Sequence, residues 1–311
     1  MSRNESKVEI RLSVLPPYNF GLYSRLFIHD SELFLPFRYS TTSWSRIITL
    51  KNRSMVPVDV TLDGTSEGPE LHTTAHKDLS TEEFREIKQK IAESFCVHLD
   101  IQPLYDATFA DSQARALVRR LHGLRPHLSI DPFESLIKVV LRQVVRAATA
   151  QKLIDGLVRK FGRSMSLGRA TYYSFPSPKS LAKARKADLL SCKIGYKWKV
   201  IKQISQEVDE GDLDLVDLAR LNSDDVVTLL TEFDGIGPWT SMVFLYDGLH
   251  RLDCYPKFDI SIRKAVDSLY LKWPHRRENY ESQLSRSDKW GAIVVYLFGS
   301  LWMESLQGSD A

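Results

Sequence analysis

The sequence predicts an α+β fold in which an N-terminal antiparallel β-sheet domain with helices precedes a mostly α-helical core of two subdomains. From residue 8 to about 62, hydrophobic and polar residues alternate with the two-residue period of strands, and turn-forming residues separate the segments. From about residue 113 the hydrophobic spacing is helical nearly throughout. The predicted domains are therefore residues 1–112 and 113–311, the second with a central subdomain at about 131–250.

Individual elements follow from local signals. The segment "STEEFREIKQKIAESFCV" opens with a capping signature at Ser80 and continues as an amphipathic helix that covers the sheet. The segment "DPFESLIKVVLRQVVRAATAQKLIDGLVRKFG" begins with an N-cap and N1 pair, Asp131-Pro132, and ends at Gly162, which predicts one long helix. Residues 162–180 are rich in Gly, Ser and Pro, which predicts an irregular connection.

Composition is that of an ordinary globular protein. The chain has 311 residues, of which 43% are hydrophobic and 26% are charged. No hydrophobic run approaches the roughly 20 residues of a membrane span, and the first residues lack the hydrophobic segment of a signal peptide. Three widely spaced cysteines predict neither a metal knuckle nor a disulfide framework. These features favour an intracellular location, without a membrane partner.

Charge is segregated along the chain. Residues 113–203 contain 20 Lys or Arg and 4 Asp or Glu, which leaves 22 basic and 35 acidic residues elsewhere out of 42 and 39. A basic segment of this kind favours a surface that meets a polyanion, with nucleic acid as the leading candidate. The alternative is that the positive segment packs on a negative one within the same fold. Charge alone leaves both interpretations open.

The stretch "FDGIGPWTS", residues 233–241, interrupts helical sequence with a tight turn. A helix capped by Ser223 precedes it and a second helix follows. Gly235 and Gly237 are predicted to supply conformations that other residues adopt poorly. The exposed backbone N–H groups of the turn and of the second helix are suited to holding a DNA phosphate without reading sequence. The alternative is a simple connector between two helices.

The surrounding motifs carry a resemblance. "FDGIGPWTS" is followed by "YPKFDISIRKAV", whose aspartate lies 22 residues after the second glycine. Together with "DPFESLIKVVLRQVVRAATAQKL", "CKIGYKWKVIKQIS" and "KWGAIVVYLFGSLW", this arrangement resembles the helix-hairpin-helix (HhH-GPD) DNA glycosylase superfamily over residues 113–302. The closest branch is 3-methyladenine-DNA glycosylase II, and the N-terminal domain looks like the one shared with 8-oxoguanine glycosylase.

The resemblance implies a monofunctional DNA glycosylase of base excision repair. Such an enzyme flips a damaged base out of duplex DNA and hydrolyses its N-glycosidic bond, here in alkylated purines such as 3-methyladenine. Asp259 is the expected catalytic carboxylate, although it can also cap the helix that follows. Trp239, Phe258 and Ile260 are the expected base-pocket residues. Trp239 stands where lyase members of the family carry a lysine, which favours water as the nucleophile.

The same resemblance assigns the DNA contacts. The DNA-binding hairpin is expected to comprise Gly235, Ile236, Gly237 and Thr240. The duplex wedge is expected to comprise Gln143, Val144 and Arg146, the last at a position where the family usually has serine.

The resemblance also indicates which cofactors and partners to expect. No soluble cofactor and no catalytic metal are implied, but a monovalent cation held by hairpin carbonyls fits the family. Damaged double-stranded DNA is the expected partner and a monomer suffices. The enzyme would work in the cytoplasm or nucleoid of a prokaryote or in the nucleus of a eukaryote.

Two other functions stay open at this point. One is an 8-oxoguanine-type glycosylase with a missing or relocated lysine, which would release that base from a duplex. The other is a non-catalytic damaged-DNA-binding protein, which would bind lesions without releasing any base.

Overall fold

The residues that the computed structural model describes are 7–27, 33–108, 112–254, 256, 259 and 260. The N-terminal strands are β1 (Val8–Ser13), β2 (Leu33–Phe34), β3 (Phe37–Tyr39), β4 (Ser43–Thr49), β5 (Met55–Thr65) and β6 (Gly68–Ala75). They form one antiparallel sheet in the order β1-β6-β5-β4-β3-β2, which confirms the predicted α+β class. Within the described ranges, no helix is long and hydrophobic enough to cross a membrane.

Helices cover the sheet, as the amphipathic pattern predicts. They are α1 (Phe20–Phe27), α2 (Thr81–Ser94), α3 (Gln102–Ala107) and α4 (Ser112–Arg120). The predicted capping box at the start of α2 is present: Ser80 Oγ accepts from the Glu83 N–H, and the Glu83 carboxylate accepts from the Ser80 N–H. Ile87 and Ile91 of α2 pack with Trp44 of β4 in the N-terminal core. Burial of these side chains holds the helix on the sheet.

The helical core follows. Its elements are α5 (Pro132–Arg142), α6 (Ala147–Phe161), β7 (Ser164–Leu167), β8 (Ala170–Tyr173), α7 (Pro178–Ala182), α8 (Lys186–Ser191), α9 (Trp198–Glu210), α10 (Ser223–Thr231) and α11 (Pro238–Asp247), with 3₁₀ turns at Gly195–Lys197 and Asp217–Arg220. Leu136 of α5, Leu157 of α6, Ile201 of α9 and Phe244 of α11 are fully buried in one cluster. This core fixes α5 against α11, the pair of helices that frames the site.

Two predicted helix boundaries are wrong. The single helix predicted from Asp131 to Gly162 is broken, because residues 143–146 separate α5 from α6. Asp131 does cap α5, accepting from the Glu134 N–H at 2.9 Å. Asn222 rather than Ser223 caps α10, because the Asn222 side chain accepts the bond that satisfies a first-turn N–H.

The predicted irregular connection contains a small hairpin instead. Strands β7 and β8 pair through a two-residue turn in which Gly168 has a φ of +56°. The Tyr172 hydroxyl on β8 donates to Asp59 of β5 at 2.8 Å, and His76 Nε2 lies 2.6 Å from the same carboxylate. The hairpin thereby ties the helical core to the N-terminal sheet.

Helix α4 begins at the predicted domain boundary and packs against the N-terminal part of the chain. Leu117 and Val118 of α4 share a buried cluster with Leu22 and Leu26 of α1. The first helix after residue 112 therefore contributes to the N-terminal packing, and the division into two domains stays a prediction.

Candidate active site

The predicted hairpin joins α10 to α11. Gly235 has a φ of +97°, a region that residues with a Cβ rarely adopt, so the predicted need for glycine holds there. Gly237 has a φ of −111°, which any residue adopts, so the same prediction is wrong for Gly237. A Cβ built at Gly237 would meet no described atom within 4 Å. Glycine at this position leaves room for an external group near the N-terminus of α11.

The hairpin side chains face inward. Ile236 is buried in the helical core and Thr240 is buried beside it. Contacts of these two residues with a ligand outside the hairpin would therefore come from their backbone groups.

The break between α5 and α6 forms an exposed loop beside the hairpin, and we call residues 143–146 the wedge loop. Val144 has a φ of +56° and is 95% exposed. A β-branched residue in the left-handed region is strained, and a fully exposed valine gains nothing from burial. Arg146 is also exposed and is the N-cap residue of α6. The geometry presents a hydrophobic tip to whatever lies against this face.

Gln143 and Lys197 hold the wedge loop in place. Gln143 Nε2 donates to Gly235 O at 2.9 Å and to Thr240 Oγ1 at 2.8 Å, which ties the loop to the hairpin. Lys197 Nζ donates to Leu141 O at 2.8 Å and to Gln143 O at 2.7 Å, at the C-terminal end of α5. Burial lowers the pKa of Lys197, while its position at the negative end of a helix dipole is favourable for a cation. The amide of Gln143, predicted to belong to the wedge, is thus engaged with the hairpin.

The expected catalytic carboxylate meets the expected pocket tryptophan. Trp239 Nε1 donates to Asp259 Oδ2 at 2.7 Å, and both side chains are partly buried. The Asp259 backbone N–H donates to Pro256 O at 2.9 Å. Ile260 is 70% exposed at the mouth of the site, whereas the predicted pocket residue Phe258 lies outside the described residues. One indole N–H therefore orients the carboxylate.

A cavity of about 1160 Å³ opens beside this pair. The wedge loop, the N-terminal turn of α11 and Asp259 line one part of it. Another wall comes from the N-terminal part of the chain: Tyr23, Phe34, Phe37, Trp44 and Arg46. Sequence reasoning placed the pocket within the helical core alone and missed this aromatic wall. No local signal could have found it, because the residues are distant in sequence from every site motif.

An ion cluster is buried in the same wall, and we call Arg46, Glu134 and Lys138 the ion triad. Arg46 Nη1 and Nη2 donate to the two Glu134 oxygens at 3.0 and 2.6 Å, and Lys138 Nζ donates to Glu134 Oε1 at 3.1 Å. Burial opposes the charge of Glu134, but Arg46 and Lys138 outweigh it and lower the pKa of Glu134 to about 2. The sequence signal was available: Glu134 and Lys138 are four residues apart in a mostly hydrophobic helix.

His127 also borders the cavity and is neutral. Burial, and then the charges of Lys138 and Arg46, lower the pKa of His127 to about 3. Its ring stacks on Phe95 at 4.3 Å between centroids and contacts Trp44 edge-on at 5.7 Å. Among the described residues, no group of three or more His, Cys, Asp or Glu side chains is placed to hold a metal ion.

Known proteins are similar to this chain in sequence and in fold. A family model described as "HhH-GPD superfamily base excision DNA repair protein" matches residues 137–288. A DNA-3-methyladenine glycosylase of Bacillus subtilis is 28% identical over 218 residues, which are 70% of this chain and 71% of that protein. A DNA-3-methyladenine glycosylase of Saccharomyces cerevisiae is 24% identical over 165 residues, which are 53% of this chain and 54% of that protein.

Solved structures extend the likeness to the N-terminal sheet. A 3-methyladenine DNA glycosylase from Archaeoglobus fulgidus superposes with a TM-score of 0.80 at 24% identity, covering 93% of this chain and 97% of that one. An 8-oxoguanine glycosylase/lyase from Clostridium acetobutylicum in complex with double-stranded DNA superposes with a TM-score of 0.64 at 19% identity, covering 86% and 98%. The fold is the one that the solved helix-hairpin-helix glycosylases share. Residues 137–288, which include the hairpin and Asp259, match the HhH-GPD superfamily of base excision DNA repair proteins, as the motifs indicated.

Proposed function

We propose that this protein is a monofunctional DNA glycosylase that releases alkylated purines such as 3-methyladenine from duplex DNA. The observation that carries the proposal is the 2.7 Å hydrogen bond from the Trp239 indole to Asp259 at the mouth of a cavity large enough for a flipped base. The names of the relatives from Bacillus subtilis and Saccharomyces cerevisiae support the substrate class.

Asp259 would act on the sugar rather than on the base. Cleavage of the N-glycosidic bond develops positive charge on the deoxyribose, and a fixed carboxylate beside C1′ stabilises that charge. The Trp239 N–H donates to one carboxylate oxygen and so fixes the orientation of the carboxylate beside the cavity. The indole ring beside it offers an electron-rich surface on which a cationic alkylated base can stack.

DNA would approach the face that carries the hairpin and the wedge loop. The open space at Gly237 lets a phosphate reach the backbone N–H groups at the start of α11. Val144, which is 95% exposed, would enter the duplex where the damaged base leaves it. Much of the basic segment is available for such contacts, although Arg125, Lys138 and Lys197 are buried and serve the fold or the cavity.

Water is the nucleophile in this proposal. Trp239 occupies the position at which lyase members carry lysine, and an indole cannot form a Schiff base with the sugar. Lys257, which is close to Asp259 in sequence, lies outside the described residues. The product is an intact strand with an abasic site, so a monomer without a soluble cofactor suffices.

A monovalent cation at the hairpin stays compatible with the geometry. Gly235 O accepts from Gln143 and Phe233 O accepts from the Ile236 N–H at 2.9 Å. Each carbonyl oxygen has two lone pairs, so both oxygens can also face a cation.

The three cysteines are free thiols, which fits work on DNA inside the cell.

The test is base release from methylated duplex DNA, with the products separated by chromatography and the strands examined for nicks before and after alkali. We expect methylated purines to be released and nicks to form only after alkali. Base release by Asp259→Asn, purified in parallel, measures the background activity of any contaminating host glycosylase. Nicks before alkali would contradict the monofunctional mechanism. Release of 8-oxoguanine alone, or binding without any release, would replace the proposal with one of the two alternatives.

A further inference from the structure

One member of the ion triad has donors that the triad does not use. The Lys138 side chain is 7% exposed, and among the described residues its ammonium donates only to Glu134 Oε1. An ammonium carries three N–H donors. Arg46 alone already bonds both Glu134 oxygens. Arg46 is therefore sufficient to neutralise Glu134, and this pairing does not explain why Lys138, a second cation, is also buried there.

The surplus donors border the cavity. Lys138 lines it, and its Nζ lies 5.4 Å from the centre of the Phe37 ring, which lines the same wall. Trp44 Nε1, on the neighbouring strand, is buried without an acceptor among the described residues. Buried donors without acceptors are costly, so this wall is suited to a ligand that brings acceptors.

We propose that Lys138 determines the lesion specificity of the cavity, and that its unused N–H groups donate to a carbonyl oxygen or ring nitrogen on the flipped base. Hypoxanthine, a neutral purine with a carbonyl group, is the probe for this contact, and a cationic alkylated purine is the reference. This inference rests on the proposed glycosylase function.

The charge of the leaving base explains why an ammonium is useful there. When the C1′–N9 bond of a neutral purine breaks, its electron pair goes to the base, and the negative charge spreads onto the carbonyl oxygen. Water supplies the hydroxyl that remains on C1′, and its proton ends on the released base. An ammonium beside that oxygen stabilises the charge as it develops. A cationic alkylated purine leaves as a neutral molecule and needs no such help.

The experiment compares two lesions in two proteins. Single-turnover release of hypoxanthine and of 7-methylguanine from otherwise identical duplexes is measured for wild type and for Lys138→Met, which keeps an unbranched side chain of similar length without the ammonium. We expect hypoxanthine release to fall by about tenfold or more, in the range of losing one stabilising donor, and 7-methylguanine release to change by less than about threefold. Lys77→Met, which removes an exposed lysine outside both the cavity and the basic segment, should change neither rate.

The outcomes separate this inference from the function on which it rests. If wild type releases neither base, the glycosylase proposal itself fails. If wild type releases 7-methylguanine but not hypoxanthine, or if Lys138→Met slows both equally, the role of Lys138 is overturned. Should Lys138→Met fail to fold, Lys138→Gln keeps a donor for Glu134 without the charge, and the same ratio of rates decides.

Discussion

At the scale of single residues, the pair of Trp239 and Asp259 joins a binding surface to a catalytic charge. The indole ring faces the cavity, and its N–H fixes the carboxylate 20 residues further along the chain. Motif spacing was sufficient to select both residues. Their hydrogen bond was not predictable, because it depends on how two side chains turn towards each other in the folded chain.

Trp239→Phe keeps an aromatic ring, although a smaller one, and removes this hydrogen bond. We expect single-turnover base release to fall about ten- to a hundredfold, because a hydrogen bond to a charged group contributes about 1.5–3 kcal/mol. DNA affinity should be nearly unchanged. Trp198→Phe is the matched control, since Trp198 lies on α9 beside Lys186 and outside the cavity. An unchanged rate for Trp239→Phe would show that the indole N–H does not position the carboxylate.

Val144 illustrates strain at a functional position. Val144→Gly should leave the free energy of unfolding within about 1 kcal/mol of wild type, because relief of the left-handed φ offsets the entropy of glycine. Base release from a paired duplex should nevertheless fall about tenfold, since the inserted group is lost. Release from a lesion in an unpaired bulge should change little.

The control for Val144→Gly is Val216→Gly, at an exposed valine directly before the 3₁₀ turn of Asp217–Arg220. Thermal unfolding and base release are measured for both variants. Equal losses on duplex and bulged lesions would exclude a wedge role for Val144.

At the scale of elements, two segments show where sequence reasoning succeeds and fails. Flanking helical periodicity and two glycines sufficed to predict the hairpin after α10. The break at residues 143–146 was not predictable, because Val144 and Val145 continue a hydrophobic helical pattern. What imposes the break is tertiary: Lys197 and the hairpin bind the loop from outside the segment.

Lys197→Met tests that explanation. Loss of two charge-assisted hydrogen bonds to the end of α5 should lower the free energy of unfolding by about 2–4 kcal/mol. At a temperature where the variant stays folded, base release from duplex DNA should fall more than release from a bulged lesion, because the wedge loop loses its support.

Lys202→Met is the matched control for Lys197→Met. Lys202 is on α9, which directly follows the 3₁₀ turn that carries Lys197, and it also donates to a backbone carbonyl, Ala184 O at 2.9 Å, away from the cavity. Lys202→Met should lower the free energy of unfolding without changing the ratio of the rates of base release from duplex DNA and from a bulged lesion. The same ratio in both variants would contradict a specific role for Lys197.

At the scale of the whole molecule, the cavity is a product of the contact between the N-terminal sheet and the helical core. Strand alternation and helical periodicity predicted each part separately. Their contact was not predictable, because the Arg46–Glu134 pair joins residues 88 apart and no motif links them. The ion triad is therefore both part of the cavity wall and a bond between the two parts of the chain.

The triad predicts a pH dependence of stability. In the unfolded chain, Glu134 takes up a proton near its usual pKa, whereas the folded protein keeps it ionised down to about pH 2. A carboxylate whose pKa is lower in the folded than in the unfolded state stabilises the folded protein at pH values above its unfolded-state pKa. This contribution to the free energy of unfolding is lost as the pH falls towards the folded-state pKa. We expect the contribution of Glu134 to the free energy of unfolding to fall by about 2 kcal/mol between pH 5 and pH 3.

Urea unfolding of wild type and Glu134→Gln at several pH values measures the effect. Glu134→Gln should be less stable at pH 7, by about 3–5 kcal/mol for breaking a buried pair, and the difference between the two proteins should shrink as the pH falls. A difference that is constant between pH 7 and pH 3 would contradict the lowered pKa of Glu134.

The most direct measurement of the central claim is single-turnover release of 7-methylguanine from duplex DNA by wild type and by Asp259→Asn, with the DNA affinity of both proteins determined on the same duplex. We expect Asp259→Asn to lower the rate by about a hundredfold or more, because the amide cannot stabilise positive charge on the sugar, and to leave DNA affinity within about threefold. Release by Asp259→Asn at the wild-type rate would contradict the assignment of Asp259 as the catalytic carboxylate.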